Sequence, residues 1–486
     1  MSVVSIRNVS FSYQTEMPEH NLSDISLEIQ PGECVLLCGK SGSGKTTMTK
    51  LVNGLIPHFE EGKKTGTVLL EGNDVDMIPM YQISLKVASI FQDPKSQFFN
   101  IDTEDEIIFS LENQGLPTDV LEKRLAITIK DLQLSTLVKK NLFEMSGGEK
   151  QIIAFACAYA LNPDILVMDE PSSNLDLGAI EVIREILVKM KKQGKTILIA
   201  EHRFSYLNGL IDRAVWIEKG KISAHYTGEQ FFALSEQERK TMGLRRLTPY
   251  REVHLKRFTG ESSPAIAPSL ELKNVEVSFG NQSILQNISL SLQSGDVAAI
   301  IGTNGVGKTS LCRTICGFLD CKHGEIIIDG TALKKKQRLK KTYIVMQDTN
   351  YQLFAESVLD ECFLGNPLVT ESQVEEVLEQ LDLTDVKDRH PQSLSGGQKQ
   401  RLAIAVAILT GKEIIIFDEP TSGLDYSSMM SVSKLINHLS QMGMIVLLIT
   451  HDMEFLEATC NKCFQLLPNT VYETNEFQTD TCFIRT

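Results

Sequence analysis

The sequence predicts an α/β chain made of two homologous domains in tandem, each a mainly parallel sheet covered by helices. Three observations lead there. GKSGSGKT at 39–46 and GTNGVGKT at 302–309 both fit GxxxxGK[ST]; each follows an apolar run and precedes a segment of helical apolar spacing, MTKLVNGL or LCRTICGFL. Further on, SGGEKQ at 146–151 is answered by SGGQKQ at 395–400, and MDEPSSNLD at 168–176 by FDEPTSGLD at 417–425, both displaced by 249 residues. The openings also match, VVSIRNVSFSY at 3–13 against LELKNVEVSF at 270–279. A repeat held at fixed spacing over this length implies duplication of a whole domain.

In chain order, each copy begins with the alternating strand just quoted, ending on an aromatic residue, Tyr13 or Phe279. The strand-loop-helix unit comes next and aims a helix N-terminus at an anion. Glycines (Gly39, Gly42 and Gly44; Gly302, Gly305 and Gly307) let backbone N–H groups turn inward around phosphates, and Lys45 or Lys308 adds a point charge. The hydroxyls of Thr46, Thr47, Thr309 and Ser310 open the two helices. Between this loop and Ser146 the offset between copies grows to 255 at Gln92/Gln347 and 263 at Lys45/Lys308, so the first copy carries extra residues, expected to be surface loops.

After Gln92 and Gln347, the segments SIFQDPKSQFF and IVMQDTNYQLF place a second glutamine five residues on (Gln97, Gln352), then aromatic or apolar residues. Ser146, Gly147, Gly148 and Glu149, and likewise Ser395, Gly396, Gly397 and Gln398, open a further helix whose hydroxyl and free N–H groups make a second anion-binding terminus. Such a terminus is redundant in a domain that already has a phosphate loop, which suggests that it serves a nucleotide held by the other copy. ILVMDE and IIIFDE then read as buried parallel strands ending at the nucleotide. Asp169 and Asp418 would hold Mg²⁺ with Thr46 and Thr309, and Glu170 and Glu419 would orient and deprotonate the attacking water. A strand that merely ends in solvated acids is the competing reading. His202 and His451 follow the next strand of each copy.

Composition narrows the surroundings. The chain has 486 residues, 42% hydrophobic and 23% charged, in keeping with a globular protein of several domains. No apolar run approaches the roughly 20 residues of a membrane span, and the N-terminus lacks a signal pattern, so a cytoplasmic chain is expected. A net charge of −14 disfavours broad attachment to nucleic acid or anionic lipid. The ten cysteines are scattered, with a lone CxxC at Cys460 and Cys463, and are read as reduced thiols rather than a metal site. Pro249, Pro264 and Pro268 mark a linker, giving expected domains 1–228 and 269–475 joined by 229–268. Arg245, Arg246, Arg251, Lys256 and Arg257 in that linker are read as a solvated face or as contacts with the acidic domains.

The ordered set of phosphate loop, glutamine, SGGE or SGGQ, DE and histidine resembles the ATP-binding-cassette (ABC) ATPases over roughly 1–225 and 270–467. This resemblance implies two P-loop NTPase domains, each a RecA-like core with an antiparallel β subdomain and a helical subdomain bearing the signature motif. It implies ATP and Mg²⁺ as cofactors, the metal reached by Thr46, Gln92 and Asp169 or by Thr309, Gln347 and Asp418. Tyr13 and Phe279 would stack on adenine, and His202 and His451 would be the switch histidines. In this family two cassettes pair head to tail, so Lys45, Asp169, Glu170 and His202 would work with Ser395 to Gln398, and Lys308, Asp418, Glu419 and His451 with Ser146 to Glu149. Glu149 departs from the family's glutamine and brings an acid near phosphate.

The glutamine segments are similar to those of energy-coupling-factor importers, which take up vitamins and transition-metal ions. That resemblance implies a multispanning membrane coupling subunit and a separate membrane subunit that binds substrate, with this chain on the cytoplasmic face of the cell membrane and no nucleic acid. Other ABC transporter ATPases are an alternative. Soluble tandem-cassette translation or repair factors form a different class, disfavoured by the acidic charge and by a short linker where the translation factors carry a long charged one.

Overall fold

A computed structural model of the chain describes residues 2–13, 22–173, 175–250, 252–255, 269–279, 282–346, 349–364, 366, 369–394, 396–467, 470–474 and 476–478. The chain divides into two compact units between Pro249 and Tyr250, with the short stretch Asp425–Ser427 grouped with the first.

In the first unit the six-stranded core sheet runs Val87–Ile90, Ile165–Asp169, Thr196–Ala200, Cys34–Cys38, Arg213–Glu218, Lys221–Thr227 in space. All neighbours are parallel except the last pair. The central strands are apolar throughout because both faces are covered: every residue of Cys34–Cys38 and of Thr196–Ala200 is buried. Alternation divides them between two cores. Cys34, Leu36 and Cys38 face the helical side with Phe155 and Met168, whereas Val35 and Leu37 face Met48, Leu51 and the separate antiparallel sheet with Ile6 and Ile25. That second sheet has the order Leu22–Ile29, Val4–Tyr13, Gly62–Leu70, Asn73–Asp74.

The second unit repeats both sheets in the same order, with the core running from Thr342–Val345 through Ile414–Asp418, Ile445–Ile449, Val297–Ile301 and Lys462–Leu467 to Thr470–Glu473. Two tandem domains, each with a core sheet, an antiparallel sheet and a helical subdomain, are thus the architecture expected from the motifs. The two helical subdomains differ in size. Thr103–Glu112 and Thr118–Asp131 have 10 and 14 residues, against 6 and 10 for Val358–Phe363 and Glu371–Gln380. Part of the extra sequence of the first copy therefore lengthens helices, where surface loops were expected.

The expected linker also differs. Gly228–Phe232 and Glu236–Thr241 are helices, each opened by a capping box (Thr227 with Gln230, Ser235 with Glu238), and Phe231, Met242, Leu244 and Leu247 pack into the core of the first unit. Helices of 5 and 6 residues are too short for their apolar spacing to stand out among nearby prolines and charges. Glu252–His254 pairs antiparallel with Glu476–Gln478, beyond the expected end of the second domain at 475. Arg245 is buried, which excludes the solvated of the two readings for that residue; Arg251, Lys256 and Arg257 lie outside the described residues. Among the described residues no helix is long and apolar enough to cross a membrane.

Candidate functional site

Each phosphate loop leaves the C-terminal end of the central strand and runs into a helix, Lys45–Val52 or Lys308–Cys316. Glycine is required where the loop turns against its neighbours. A Cβ at Gly39 would lie 2.2 Å from the Ile217 carbonyl oxygen, and one at Gly302 2.6 Å from that of Leu466. Gly44 and Gly307 sit at φ 106° and 108° immediately before the helices, a conformation that favours glycine. Both lysines are buried and folded over their own loops. Lys45 Nζ donates to the carbonyls of Gly39 (3.1 Å) and Lys40 (3.0 Å), and Lys308 Nζ to those of Gly302 (2.8 Å) and Thr303 (3.0 Å).

The carboxylates meet these loops as their positions predict. Thr46 Oγ1 donates to Asp169 Oδ1 at 3.1 Å, and Thr309 Oγ1 to Asp418 Oδ2 at 3.0 Å. Burial pushes both aspartic acids above the usual carboxylate range, the threonine hydroxyl and the nearby lysine pulling the other way. Glu170 and Glu419 stand one residue past the strand at φ 46° and 50°. Such left-handed backbone is costly for a glutamate. The Gln92 amide donates to Glu170 Oε2 at 3.0 Å.

Burial raises Glu170 to about 8, Lys45 opposing the shift and Asp169 and Glu201 adding to it. Burial likewise pulls Lys45 down, against the two carboxylates. His202 is buried with Nε2 3.4 Å from Glu170 Oε1 and without a hydrogen-bond partner for that nitrogen. Burial, together with Lys45 and Arg245, holds its imidazole well below the ordinary value and so neutral. In the second unit His451 Nε2 lies 3.0 Å from Asn304 Oδ1 and 3.6 Å from Glu419 Oε1. An acid, a neutral histidine and a folded lysine around one glycine loop can bind phosphate and activate water.

Of the remaining expected residues, Tyr13 is half-buried, its hydroxyl 3.3 Å from Thr47 Oγ1 and Lys50 Nζ 5.9 Å from its ring centre. Gly396 and Gly397 open the helix Gly396–Leu409 that carries Gln398. Gln347 and Ser395 lie outside the described residues, as does the side chain of Phe279. Ser146 caps the helix Gly147–Leu161. Glu149 does not project freely: its carboxylate accepts from the Ser146 amide (3.0 Å) and hydroxyl (2.9 Å) and pairs with Lys140 at 3.4 Å. Burial raises its proton affinity, but Ser146 and Lys140 outweigh this and leave it below the usual range. The acid expected near phosphate is a helix-capping acid with a cation beside it.

Two sets of residues, the second glutamines and a pair of glutamates missed at the sequence level, shape the turn after Gln92 and Gln347. The second glutamines staple it: Gln97 accepts from the Phe91 amide and donates to the Ser89 carbonyl, and Gln352 does the same with Met346 and Ile344. Glu106, buried in the first turn of its helix, accepts from the amides of Phe99 (3.0 Å) and Asn100 (2.7 Å), and Glu361 from those of Phe354 (2.7 Å) and Ala355 (2.8 Å). An acid seven residues after the aromatic, in both copies, was the available signal. The turns so held expose Phe99 (75%), Tyr351 (73%) and Phe354 (73%), whereas Phe98 packs against the core and Leu353 is buried. Phe98 and Leu353, in the same apolar stretches, are thus held toward the core.

A family model for ABC transporters matches residues 22–173 and 285–422. A putative ABC transporter ATP-binding protein of Treponema denticola is 47% identical over 465 residues, covering 95% of this chain and 94% of its own. A putative HMP/thiamine import ATP-binding protein of Bacillus subtilis is 30% identical, with 94% and 88% covered. A structure described as ribosome-bound archaeal Pelota and ABCE1 matches with a TM-score of 0.66 at 21% identity, over 97% of this chain and 79% of that one, a likeness of fold alone.

Proposed function

The chain belongs to the ABC transporter ATP-binding family and is an ATPase; from that premise we propose that it energises an importer of the energy-coupling-factor type, for a vitamin or a transition-metal ion. The observation that carries this reading is the pair of aromatic turns. Each begins beside a nucleotide-site glutamine position, is stapled by a second glutamine and a buried glutamate, and presents large apolar side chains to solvent. Exposed aromatics on a rigid turn next to a catalytic site suit a partner that must sense the nucleotide state. The thiamine-import relative supports the vitamin side of the substrate range.

In this reading Lys45 and Lys308 hold the phosphates, Glu170 and Glu419 activate water, and His202 and His451 contact the terminal phosphate. The unpartnered Nε2 of His202, 3.4 Å from Glu170, fits that role. The hard oxygens of Thr46 with Asp169, and of Thr309 with Asp418, suit Mg²⁺, which would neutralise phosphate charge when bound. By family resemblance, each nucleotide would be completed by the signature helix of the other copy. The partners would be a multispanning coupling subunit and a substrate-binding membrane subunit, with the chain peripheral on the membrane.

The test replaces Phe99 and Phe354 with Ser. The double variant should keep Mg·ATP binding while losing co-purification with its membrane subunits and substrate uptake. Normal assembly and uptake, or cosedimentation of the wild-type chain with ribosomes instead of membranes, would refute the proposal.

A further inference from the structure

The two copies solve one local problem with different residues. Beyond each catalytic glutamate the chain turns through Ser172 or Thr421, and this turn must be fastened to the segment carrying the switch histidine. In the second unit Asp452, directly after His451, accepts from the Thr421 hydroxyl at 2.8 Å and from the Phe455 amide at 3.1 Å. The first unit has Arg203 at the position equivalent to Asp452, Glu201 at that of Thr450 and Tyr206 at that of Phe455. All three differences serve one arrangement. The Glu201 carboxylate, 1% exposed, takes five donors: Oε1 accepts from the Ser172 hydroxyl, the Ser172 amide (3.3 Å) and the Tyr206 hydroxyl (3.0 Å), and Oε2 from the amides of His202 (2.7 Å) and Arg203 (3.3 Å).

Arg203 fastens the other side of the turn, its guanidinium donating to the carbonyls of Ser172 (3.4 Å) and Leu175 (2.9 Å). The carboxylate has moved two positions toward the strand, and the vacated position carries a cation that holds carbonyls instead of a hydroxyl. Tyr206 adds a donor that Phe455 lacks.

We propose that Glu201, assisted by Arg203, is a positioning residue for ATP hydrolysis at the first copy, locking the turn after Glu170 to the backbone of His202. Charge-assisted hydrogen bonds to a buried carboxylate are strong and geometrically demanding, so the turn, which supplies two of the five donors through Ser172, is tied to the histidine segment, which supplies the other three. His202 directly follows Glu201 and Glu170 lies two residues before Ser172, so their 3.4 Å separation depends on these anchors. Glu201 itself acts through its neighbours rather than on nucleotide.

The experiment compares the full-length chain carrying Glu419→Gln, which silences hydrolysis at the second copy, with the same chain further carrying Glu201→Thr, Glu201→Gln or the double change Glu201→Thr/Arg203→Asp, which installs the pair found in the second copy. Hydrogen exchange of the nucleotide-free chain, Mg·ATP affinity, kcat and KM are read for each. Glu201→Thr should speed exchange at least tenfold in 170–176 and 200–207 only, and lower kcat at least tenfold with affinity and KM within threefold. The double variant should recover a third or more of kcat and slow that exchange again. Should Glu201→Thr fail to fold, Glu201→Gln decides: it should lower kcat at least threefold with KM unchanged and faster exchange confined to the same two segments. Unchanged exchange there, kcat within twofold, affinity falling in step with kcat, or a double variant no better than the single one would overturn the proposal.

Discussion

Glu106→Ala separates the exposed aromatic turn from the nucleotide site. One oxygen of Glu106 holds the Phe99 amide at 3.0 Å, the Asn100 amide at 2.7 Å and the Asn100 side-chain amide at 3.1 Å, in a residue only 4% exposed. Hydrogen bonds to a charged acceptor are worth about 1.5–3 kcal/mol each. Water can reach part of the turn once the side chain is gone, so a net local loss of about 3 kcal/mol is a fair expectation for two backbone bonds. At about 1.4 kcal/mol per factor of ten, opening of the turn should rise by roughly 100-fold. Hydrogen exchange at the amides of Phe99 and Asn100 reads this opening directly, because local opening governs exchange in such segments. Basal ATPase activity should hardly change, since Lys45, Asp169, Glu170 and His202 are not bonded to Glu106, whereas assembly with membrane subunits should weaken. Exchange at these two amides within threefold of wild type would refute the idea that Glu106 holds the turn.

Other expectations can be checked on the same chain. Glu170→Gln with Glu419→Gln should abolish hydrolysis and retain two nucleotides per chain through gel filtration, because phosphate binding survives the loss of water activation; retention of one or none would contradict two competent sites. Glu149→Gln replaces a charged cap by a neutral one and loosens the hold on the Ser146 hydroxyl, so in a Glu170→Gln background nucleotide affinity and turnover should rise a few-fold, while a fall would show that the cap matters more than the freed hydroxyl. Glu170 also predicts a pH effect: its folded value of about 8 lies above the ordinary 4.5, so the folded state binds the extra proton between these values and loses stability as pH rises through that window. The melting temperature of nucleotide-free Glu170→Gln should therefore exceed that of wild type more at pH 8.5 than at pH 5.5, and an equal difference at both would argue against a raised Glu170.

The fold was legible because the motifs sit where strand ends meet helix starts. Glycine at φ above +100° before Lys45 and Lys308, and carboxylates at the ends of fully apolar strands, are local requirements that sequence pattern expresses directly. The boundary of the first domain was harder to read. Phe231, Met242, Leu244 and Leu247 lie in helices of 5 and 6 residues and the segment after them, too short for periodicity to stand out against nearby prolines and charge. Phe98 and Phe99 were equally opaque, since neighbours in an irregular turn point in different directions and only the Gln97 and Glu106 braces decide which one is exposed.

Duplication extends what can be inferred, because two copies under the same mechanical demand reveal which contacts are needed and which residues are interchangeable. The lysines proposed to hold phosphate, the threonine and aspartate proposed to hold Mg²⁺ and the glutamates proposed to activate water occur identically in both, as expected of groups that would touch nucleotide or its ion. The fastening of the turn after the glutamate is met by Glu201 in one copy and Asp452 in the other, so its requirement is a carboxylate in a given place rather than at a given position in sequence. Aligned position by position, Glu201 against Thr450 and Arg203 against Asp452 look like loss of the acid. In space the acid has been kept and reached from the other side of the histidine, and a search confined to matching positions would pass over it.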